Sequence, residues 1–336
     1  MSDLRIITAD VLDGLAMLDD ESVQCVVTSP PYWGLRDYGV EGQLGLESTP
    51  EEYVEKMVAV FREVRRVLRA DGTLWLNMGD CYASGGAIGQ QRVAGRPELP
   101  NAPSGWGKRE EWGTVPTAVS GLKPKDLIGQ PWRLAFALQA DGWWLRSDII
   151  WAKPNPMPES VTDRPTKAHE YIFLMTKAAR YFYDADAVRE DGARYQWNTQ
   201  KFKGGDITRH PGSTCGSEIA DTSIGRNLRT VWTIPTQPYP EAHFATFPTA
   251  LPERCIRAGS RPGDTVLDPF AGSGTTLMVA RGLGRTAIGI ELNPEYVELI
   301  ERRCALPWEH DTSTEEQRSL FDPEAESLDK WYLSVV

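Results

Sequence analysis

Cysteine is scarce in this chain of 336 residues: Cys25, Cys81, Cys215, Cys255 and Cys304 are odd in number, widely spread and never form a Cys-x-x-Cys pair. That pattern argues against a disulfide framework and against a structural zinc site. Histidine is scarcer still, and His169, His210, His243 and His310 lack ligand spacing, so no metal is expected. No run approaches the roughly 18 apolar residues of a membrane span. The start, Met1-Ser-Asp-Leu-Arg, lacks the apolar core of a signal peptide, and a cytoplasmic protein without a membrane partner is expected. No repeat of about 20 to 50 residues marks a solenoid or propeller. Basic residues are in deficit, 36 against 47 acidic, for a formal net charge of -11. At first sight that balance speaks against nucleic acid. The charge is unevenly spread, however: residues 309–336 carry eight acidic residues against Arg318 and Lys330, whereas residues 84–125 carry six basic and three acidic. Phosphate contact depends on local potential, so the expectation is a polarised surface, basic along a cleft and acidic elsewhere.

What is present is an alternation of strand and helix signals, in a length that suits two domains or one large one. Residues 23–28 are a β-branched run ended by Ser29-Pro30-Pro31, because proline removes a ladder donor. Thr49-Pro50-Glu51-Glu52 reads as a capping box, and apolar residues then keep helical spacing to Gly72. A strand over 73–78, a helix over 127–140, a strand over 145–152 and an apolar run over 171–175 follow. A strand over 265–267, a helix over 275–283, a strand over 286–290 and a helix over 294–304 complete the series. Such units specify an α/β fold, a doubly wound and mostly parallel sheet with helices on both faces. Residues 84–125 and 186–229 break the rhythm as long irregular insertions, and the acidic tail reads as a solvated appendage.

A glycine-rich turn lies between a strand and a helix in Asp268-Pro269-Phe270-Ala271-Gly272-Ser273-Gly274-Thr275. Gly272 and Gly274 permit close ligand approach, and the free amides of the following helix favour an anionic group. No Gly-Lys-Ser/Thr follows, so it is not a Walker A loop. Glu291 stands at the end of the next strand, placed to accept from both hydroxyls of a ribose. Together the two features suggest an adenosine ligand carrying an amino acid, which S-adenosylmethionine satisfies. A helix cap and a surface charge are the plain alternatives for Asp268 and Glu291.

The second motif, Thr28-Ser29-Pro30-Pro31-Tyr32-Trp33, follows the strand in the first half of the chain. With that motif ahead of the glycine-rich turn, the sequence resembles the β-group of DNA amino-methyltransferases. Further segments carry the resemblance: Asn77-Met78-Gly79-Asp80, Trp151-Ala152-Lys153-Pro154-Asn155, His169-Glu170-Tyr171 and Phe247-Pro248. It covers roughly residues 6–303 without the two insertions, and implies the seven-stranded type of sheet found in S-adenosylmethionine-dependent methyltransferases.

An aromatic amine is a poor nucleophile because its lone pair is delocalised into the base. Hydrogen bonds from the amine to Ser29 Oγ and the Pro30 carbonyl would pull the nitrogen toward tetrahedral geometry. Two prolines hold those acceptors in place beforehand, and Tyr32 would stack on the base. The resemblance therefore implies a catalytic Ser29-Pro30-Pro31-Tyr32 and double-stranded DNA as partner, with the target nucleotide flipped from the stack. For the cofactor it implies Asp10, Phe247, Pro248, Asp268, Phe270, Gly272, Ser273, Gly274, Thr275 and Glu291. A plain turn aspartate is the equal alternative for Asp10. In this family serine usually accompanies cytosine N4 methylation and aspartate or asparagine adenine N6 methylation, so cytosine N4 is expected here. Carbon-5 chemistry is disfavoured, since no Pro-Cys pair supplies its nucleophile.

The organisation then reads as a catalytic half over 1–184, a target-recognition region over 185–230, a cofactor-binding half over 231–308 and the acidic tail over 309–336. Trp33, Arg194, Lys201, Lys203 and Arg209 are the candidate DNA contacts, the last four in a segment that equally suits a solvated loop. Residues 34–45, with glycine at both ends, read either as a lid over base or cofactor or as a rigid connector. An adenine N6 methyltransferase and a non-catalytic DNA-binding module are the rival functions, and a cognate restriction enzyme is a possible companion.

Overall fold

The structure, a computed structural model, describes residues 3–34, 40, 42–83, 122–190, 225–237, 247–305 and 308. Eight strands form one sheet: β1 (Leu4–Thr8), β2 (Val23–Thr28), β3 (Leu68–Met78), β4 (Trp144–Ala152), β5 (His169–Thr176), β6 (Val231–Thr233), β7 (Thr265–Asp268) and β8 (Thr286–Glu291). Among the described residues six α-helices cover it: α1 (Val11–Ala16), α2 (Pro50–Val67), α3 (Gln130–Ala140), α4 (Ala250–Gly259), α5 (Thr275–Gly282) and α6 (Pro294–Ala305). The strand order is β1-β8-β7-β2-β3-β5-β4-β6. All neighbours run parallel except β5, which is antiparallel to both β3 and β4. The sheet is thus mostly parallel, as expected, with the three-residue β6 added at one edge beyond the seven-stranded type.

β2 is buried along its whole length, as a central strand flanked on both faces must be. On one face α1, α2 and α3 bury Val11, Tyr53, Phe61 and Leu134 in one core; on the other α4, α5 and α6 bury Ile256, Leu277 and Ile300 in a second. The start of α2 is the expected cap: Thr49 Oγ1 accepts from the Glu52 N–H at 3.1 Å with Pro50 in the first turn. Glu52 reaches back to the N–H of Ser48. The end differs from expectation, because Leu68 is already extended and opens β3 opposite Val23. Gly72 permits that return: a Cβ there would lie 2.7 Å from Leu68 Cδ1 and 2.9 Å from the Gln24 carbonyl.

α3 also starts later than its apolar spacing suggests, at Gln130. Its first turn is capped from a distance by the Asp80 carboxylate, which accepts from the Gly129 and Gln130 N–H groups. No helix lies between β4 and β5, so β5 turns back antiparallel. His169 and Glu170 at its amino end therefore reach the sheet edge where the parallel strands have their carboxyl ends.

The two halves of the sequence interleave in the sheet. β1 pairs with β8 on the side of the glycine-rich turn, and β6 pairs with β4 on the side of the Ser-Pro-Pro-Tyr turn. From the centre, β2 connects outward through α2 to β3, while its neighbour β7 connects the other way through α5 to β8. This reversal is a topological switch point, where open α/β sheets bind ligands. Among the described residues no helix is long and apolar enough to cross a membrane.

Candidate active site

At the switch point lies a cavity of about 1090 Å³, lined by the ends of β1, β2, β3, β4, β7 and β8 and the start of β5. That is room for two ligands of moderate size, since a single drug-sized ligand commonly fills about 300 to 1000 Å³. Ser29, Pro30, Pro31 and Tyr32 line it together with Asp10, Phe247, Asp268, Phe270, Gly272, Ser273, Thr275 and Glu291. Motifs some 240 positions apart in sequence thus share one cavity, and Thr28 Oγ1 donates to Asp268 Oδ1 at 2.7 Å across the seam.

The wall after β7 is held mainly by backbone. Asp268 is buried and also accepts from the Phe270 N–H, so it shapes the turn; burial pushes its carboxyl up to about 6. Gly272 adopts φ +50 and donates its N–H to Glu291 Oε2 at 2.8 Å, while Asn293 N–H donates to Oε1. Glu291 is therefore not a surface charge. Burial holds its carboxyl above the usual value, and each oxygen keeps acceptor capacity toward the cavity. Asp10 caps α1 by accepting from the Leu12 N–H at 2.9 Å, as a turn aspartate does, and it also lines the cavity.

Two expected cofactor residues sit elsewhere. Gly274, at φ +76, precedes α5 and packs against α6, where a Cβ would lie 3.0 Å from Ile300; it does not line the cavity. Its requirement is thus conformation and helix packing in place of ligand approach. Pro248 is buried behind Phe247, its carbonyl accepting from Leu251 N–H at the start of α4. Arg303 on α6, which carried no expectation, donates to the Ser273 carbonyl and Oγ at 2.7 Å and braces the turn from outside.

The wall after β2 is held by side chains from four segments. Ser29 Oγ donates to Tyr32 Oη at 3.1 Å, and Tyr32 Oη donates to Glu170 Oε2 at 2.9 Å. Asn77 Nδ2 reaches Tyr32 Oη and Glu170 Oε2, each at 3.0 Å, and Lys153 Nζ pairs with Glu170 Oε1. Burial, with the adjacent Glu170 charge, holds the Tyr32 phenol well above its ordinary value, so it stays protonated. Tyr53 Oη donates to the Pro31 carbonyl at 2.8 Å, fixing the proline turn to α2. A Cβ on Gly79 would lie 2.8 Å from the Tyr32 ring, so a glycine is needed where that ring sits. Asn77, Lys153 and Glu170 stand in segments that carry the family resemblance, but only the fold gives them partners.

Trp33 corrects an expectation. It is 2 % exposed, packs in the core and donates its indole N–H to the Glu47 carbonyl at 2.8 Å, so it is unavailable to DNA. Gly34 N–H donates to the Gly45 carbonyl, pinning the ends of the 34–45 segment together, and Val40, Gln43 and Leu44 line the cavity. At the rim, burial lowers the Lys167 ammonium and raises the Asp80 carboxyl, and Lys167 Nζ donates to the Asp80 carbonyl. Arg194, Lys201, Lys203 and Arg209 lie outside the described residues, as do residues 84–121 and the tail from 309.

Comparison with known proteins adds identity to this geometry. A family model described as DNA methylase, of the N6/N4 class, matches residues 23–302. The chain is 48% identical over 299 residues to the type II methyltransferase M.SmaI of Serratia marcescens, covering 89% of this chain and 90% of that protein. To the type II methyltransferase M.Cfr9I of Citrobacter freundii it is 49% identical over 294 residues, covering 88% and 85%. Among solved structures, a DNA modification methylase of Thermus thermophilus complexed with S-adenosyl-L-methionine matches with TM-score 0.54 and 28% identity, covering 90% of this chain and 93% of that one. The PvuII DNA methyltransferase (cytosine-N4-specific) shares the fold with TM-score 0.61 at 20% identity, covering 95% and 92%.

Proposed function

The chain belongs to the N6/N4 DNA methylase family and is an S-adenosylmethionine-dependent DNA methyltransferase, and from that premise we propose that it methylates the exocyclic N4 amine of cytosine at a specific sequence in duplex DNA. The observation that carries the reading is the shared cavity: the Ser29-Pro30-Pro31-Tyr32 turn faces the Asp268–Thr275 turn across the Thr28–Asp268 hydrogen bond. Cytosine is favoured over adenine by the serine at the head of that turn, the residue that usually accompanies N4 methylation in this family.

The residues after β7 fit the cofactor. Glu291 offers buried acceptor oxygens for ribose hydroxyls, Gly272 leaves open space where a side chain would stand, and Phe247 and Phe270 supply apolar surface. When bound, S-adenosylmethionine supplies an electrophilic methyl group. On the facing wall Ser29 Oγ and the Pro30 carbonyl accept from the amine, concentrating electron density on its nitrogen, and the prolines hold these acceptors before substrate arrives. A paired base cannot enter a cavity at this sheet edge, so the target cytosine leaves the stack. Sequence selection falls to residues 185–230, whose basic and aromatic side chains suit phosphate and base contacts. A restriction enzyme of the same specificity completes the proposed system.

The test is methylation of mixed-sequence duplex DNA with methyl-labelled S-adenosylmethionine, followed by digestion to nucleosides and mass analysis. Label in N4-methylcytosine supports the reading. Label in N6-methyladenine moves the target base, and cofactor binding without label in either nucleoside leaves only a DNA-binding module.

A further inference from the structure

Hydrogen-bond direction on the substrate wall is set by donor counting. Glu170 is 17% exposed on its side chain and paired with Lys153, and as a carboxylate it only accepts. Tyr32 has a single hydroxyl proton, which goes to Glu170 Oε2 at 2.9 Å. The contact between Tyr32 and Ser29 at 3.1 Å must then use the proton of Ser29. Asn77 Nδ2, within 3.0 Å of both Tyr32 Oη and Glu170 Oε2 and 3.4 Å from Ser29 Oγ, adds donors and no competing acceptor. With its proton committed to Tyr32, Ser29 can only accept from whatever enters the cavity. A hydroxyl free to rotate would be as ready to donate, which is the wrong polarity for an incoming amine.

We infer that Glu170 is a positioning residue that acts through Tyr32, locking Ser29 as an acceptor for the substrate amine and receiving the proton that the amine gives up. The inference rests on the amino-methyltransferase reading and deepens it. Once its nitrogen–carbon bond has formed and the donor's sulfur–methyl bond has broken, the positive charge has moved from sulfur to nitrogen, and the amine carries one proton more than the product keeps. That proton passes to Ser29 Oγ as the Ser29 proton passes to Tyr32 Oη and the Tyr32 proton to Glu170 Oε2. The amine loses one proton, Glu170 gains one, and Ser29 and Tyr32 end with the number they began with. Glu170 returns its proton to water after the product leaves. The raised Tyr32 phenol agrees with this role, since the tyrosine hands protons on without resting as a phenolate. The charged or titratable groups facing Glu170 are Lys153 from the end of β4, Tyr32 from the turn after β2, and Lys167 and His169 beside it in sequence.

Glu170→Gln is nearly isosteric but can donate from its amide, which lets the chain reverse and turns Ser29 into a donor toward the cavity. The expected result is a fall in single-turnover methylation of roughly 100-fold or more, the scale of a lost positioned proton acceptor. S-adenosylmethionine affinity by calorimetry and DNA affinity should stay within about threefold of wild type, a smaller change than one lost hydrogen bond typically brings. Tyr32→Phe cuts the same chain in the middle and should cost as much, with the double variant little worse, because residues acting as a unit are not additive. A readout independent of turnover is the Tyr32 phenol titration, taken as the ultraviolet difference from Tyr32→Phe. It should move to lower pH in Glu170→Gln, where the neighbouring charge is gone. Wild-type turnover with Glu170→Gln at nearly the same rate, or Glu170→Gln losing cofactor affinity in step with rate, overturns the inference and leaves the enzyme assignment intact. A wild-type protein that methylates no DNA amine instead removes the reading beneath it.

Discussion

The two walls of the cavity, to which we assign different duties, are built from different material. The wall after β7 is local: Asp268, Gly272 and Glu291 lie within two adjacent strand–turn–helix units, and backbone N–H groups make the contacts that shape it. The wall after β2 is assembled from the ends of β2, β3 and β4 and the start of β5, and side chains make the contacts. The lesson is one of reach along the chain. The wall after β7 needs only residues close in sequence, its backbone N–H groups pairing with the carboxylates of Asp268 and Glu291, whereas on the wall after β2 the polarity of a single hydroxyl is set by side chains gathered from afar.

The comparison breaks first at Ser29. Ser29→Ala removes the acceptor on the substrate wall, and turnover should fall by about 100-fold or more, the scale seen when one preorganised polar group is removed from an active site. A loss below about tenfold in steady-state kcat would mean that the Pro30 carbonyl suffices.

The seam between the walls comes next. The Asp268 carboxyl is raised from 3.8 to about 6 by burial, so the folded state holds its proton more tightly than the unfolded chain does. That contribution to stability is fully present below 3.8 and is lost as pH rises through about 6, for about 3 kcal/mol in all. Asp268→Asn has no such proton to lose. Denaturant unfolding of the cofactor-free protein across this range should show wild type losing stability relative to the variant by that order. A constant gap would show that the Thr28 and Phe270 hydrogen bonds already offset the burial.

Smaller effects sharpen the contrast. Glu291→Ala should weaken cofactor binding by about 1 to 3 kcal/mol through lost ribose hydrogen bonds. Because that loss falls on the cofactor wall, single-turnover rate at saturating cofactor should stay near wild type, and a matching fall in rate would count against separable walls. Trp33→Phe should cost about 1 to 2 kcal/mol of stability, since it strands the Glu47 carbonyl and shrinks a packed side chain. DNA affinity measured by fluorescence anisotropy should not change, because the indole faces the core.

The same division decides what can be read from the chain. The glycine-rich turn, the Ser-Pro-Pro-Tyr turn and the Thr49 cap are contiguous, and each announces its geometry through residues within a few positions of one another. So does the alternation that makes the sheet doubly wound and mostly parallel. β5 is visible as an apolar run, but its direction depends on the missing helix between β4 and β5, and Glu170 reaches the cavity only because of that direction. The end of α2 is hidden because Leu68 satisfies a helical spacing and a strand pairing equally well. Trp33 stands next to Tyr32 in sequence, yet its side chain packs in the core and not in the cavity, which proximity along the chain does not reveal. α1 and β6 are short, and tertiary packing, more than local signal, makes them regular, whereas α4 carries helical spacing of its buried residues Leu251, Cys255, Ile256 and Ala258 that local pattern does announce.

The most direct test of two walls with separate duties is calorimetric titration of S-adenosylmethionine into the wild-type, Ser29→Ala and Glu291→Ala proteins, side by side. The account predicts that Ser29→Ala binds the cofactor within about threefold of wild type while Glu291→Ala binds it roughly tenfold more weakly, the loss expected from about 1.4 kcal/mol. Ser29→Ala weakening the cofactor as much as Glu291→Ala does would contradict it.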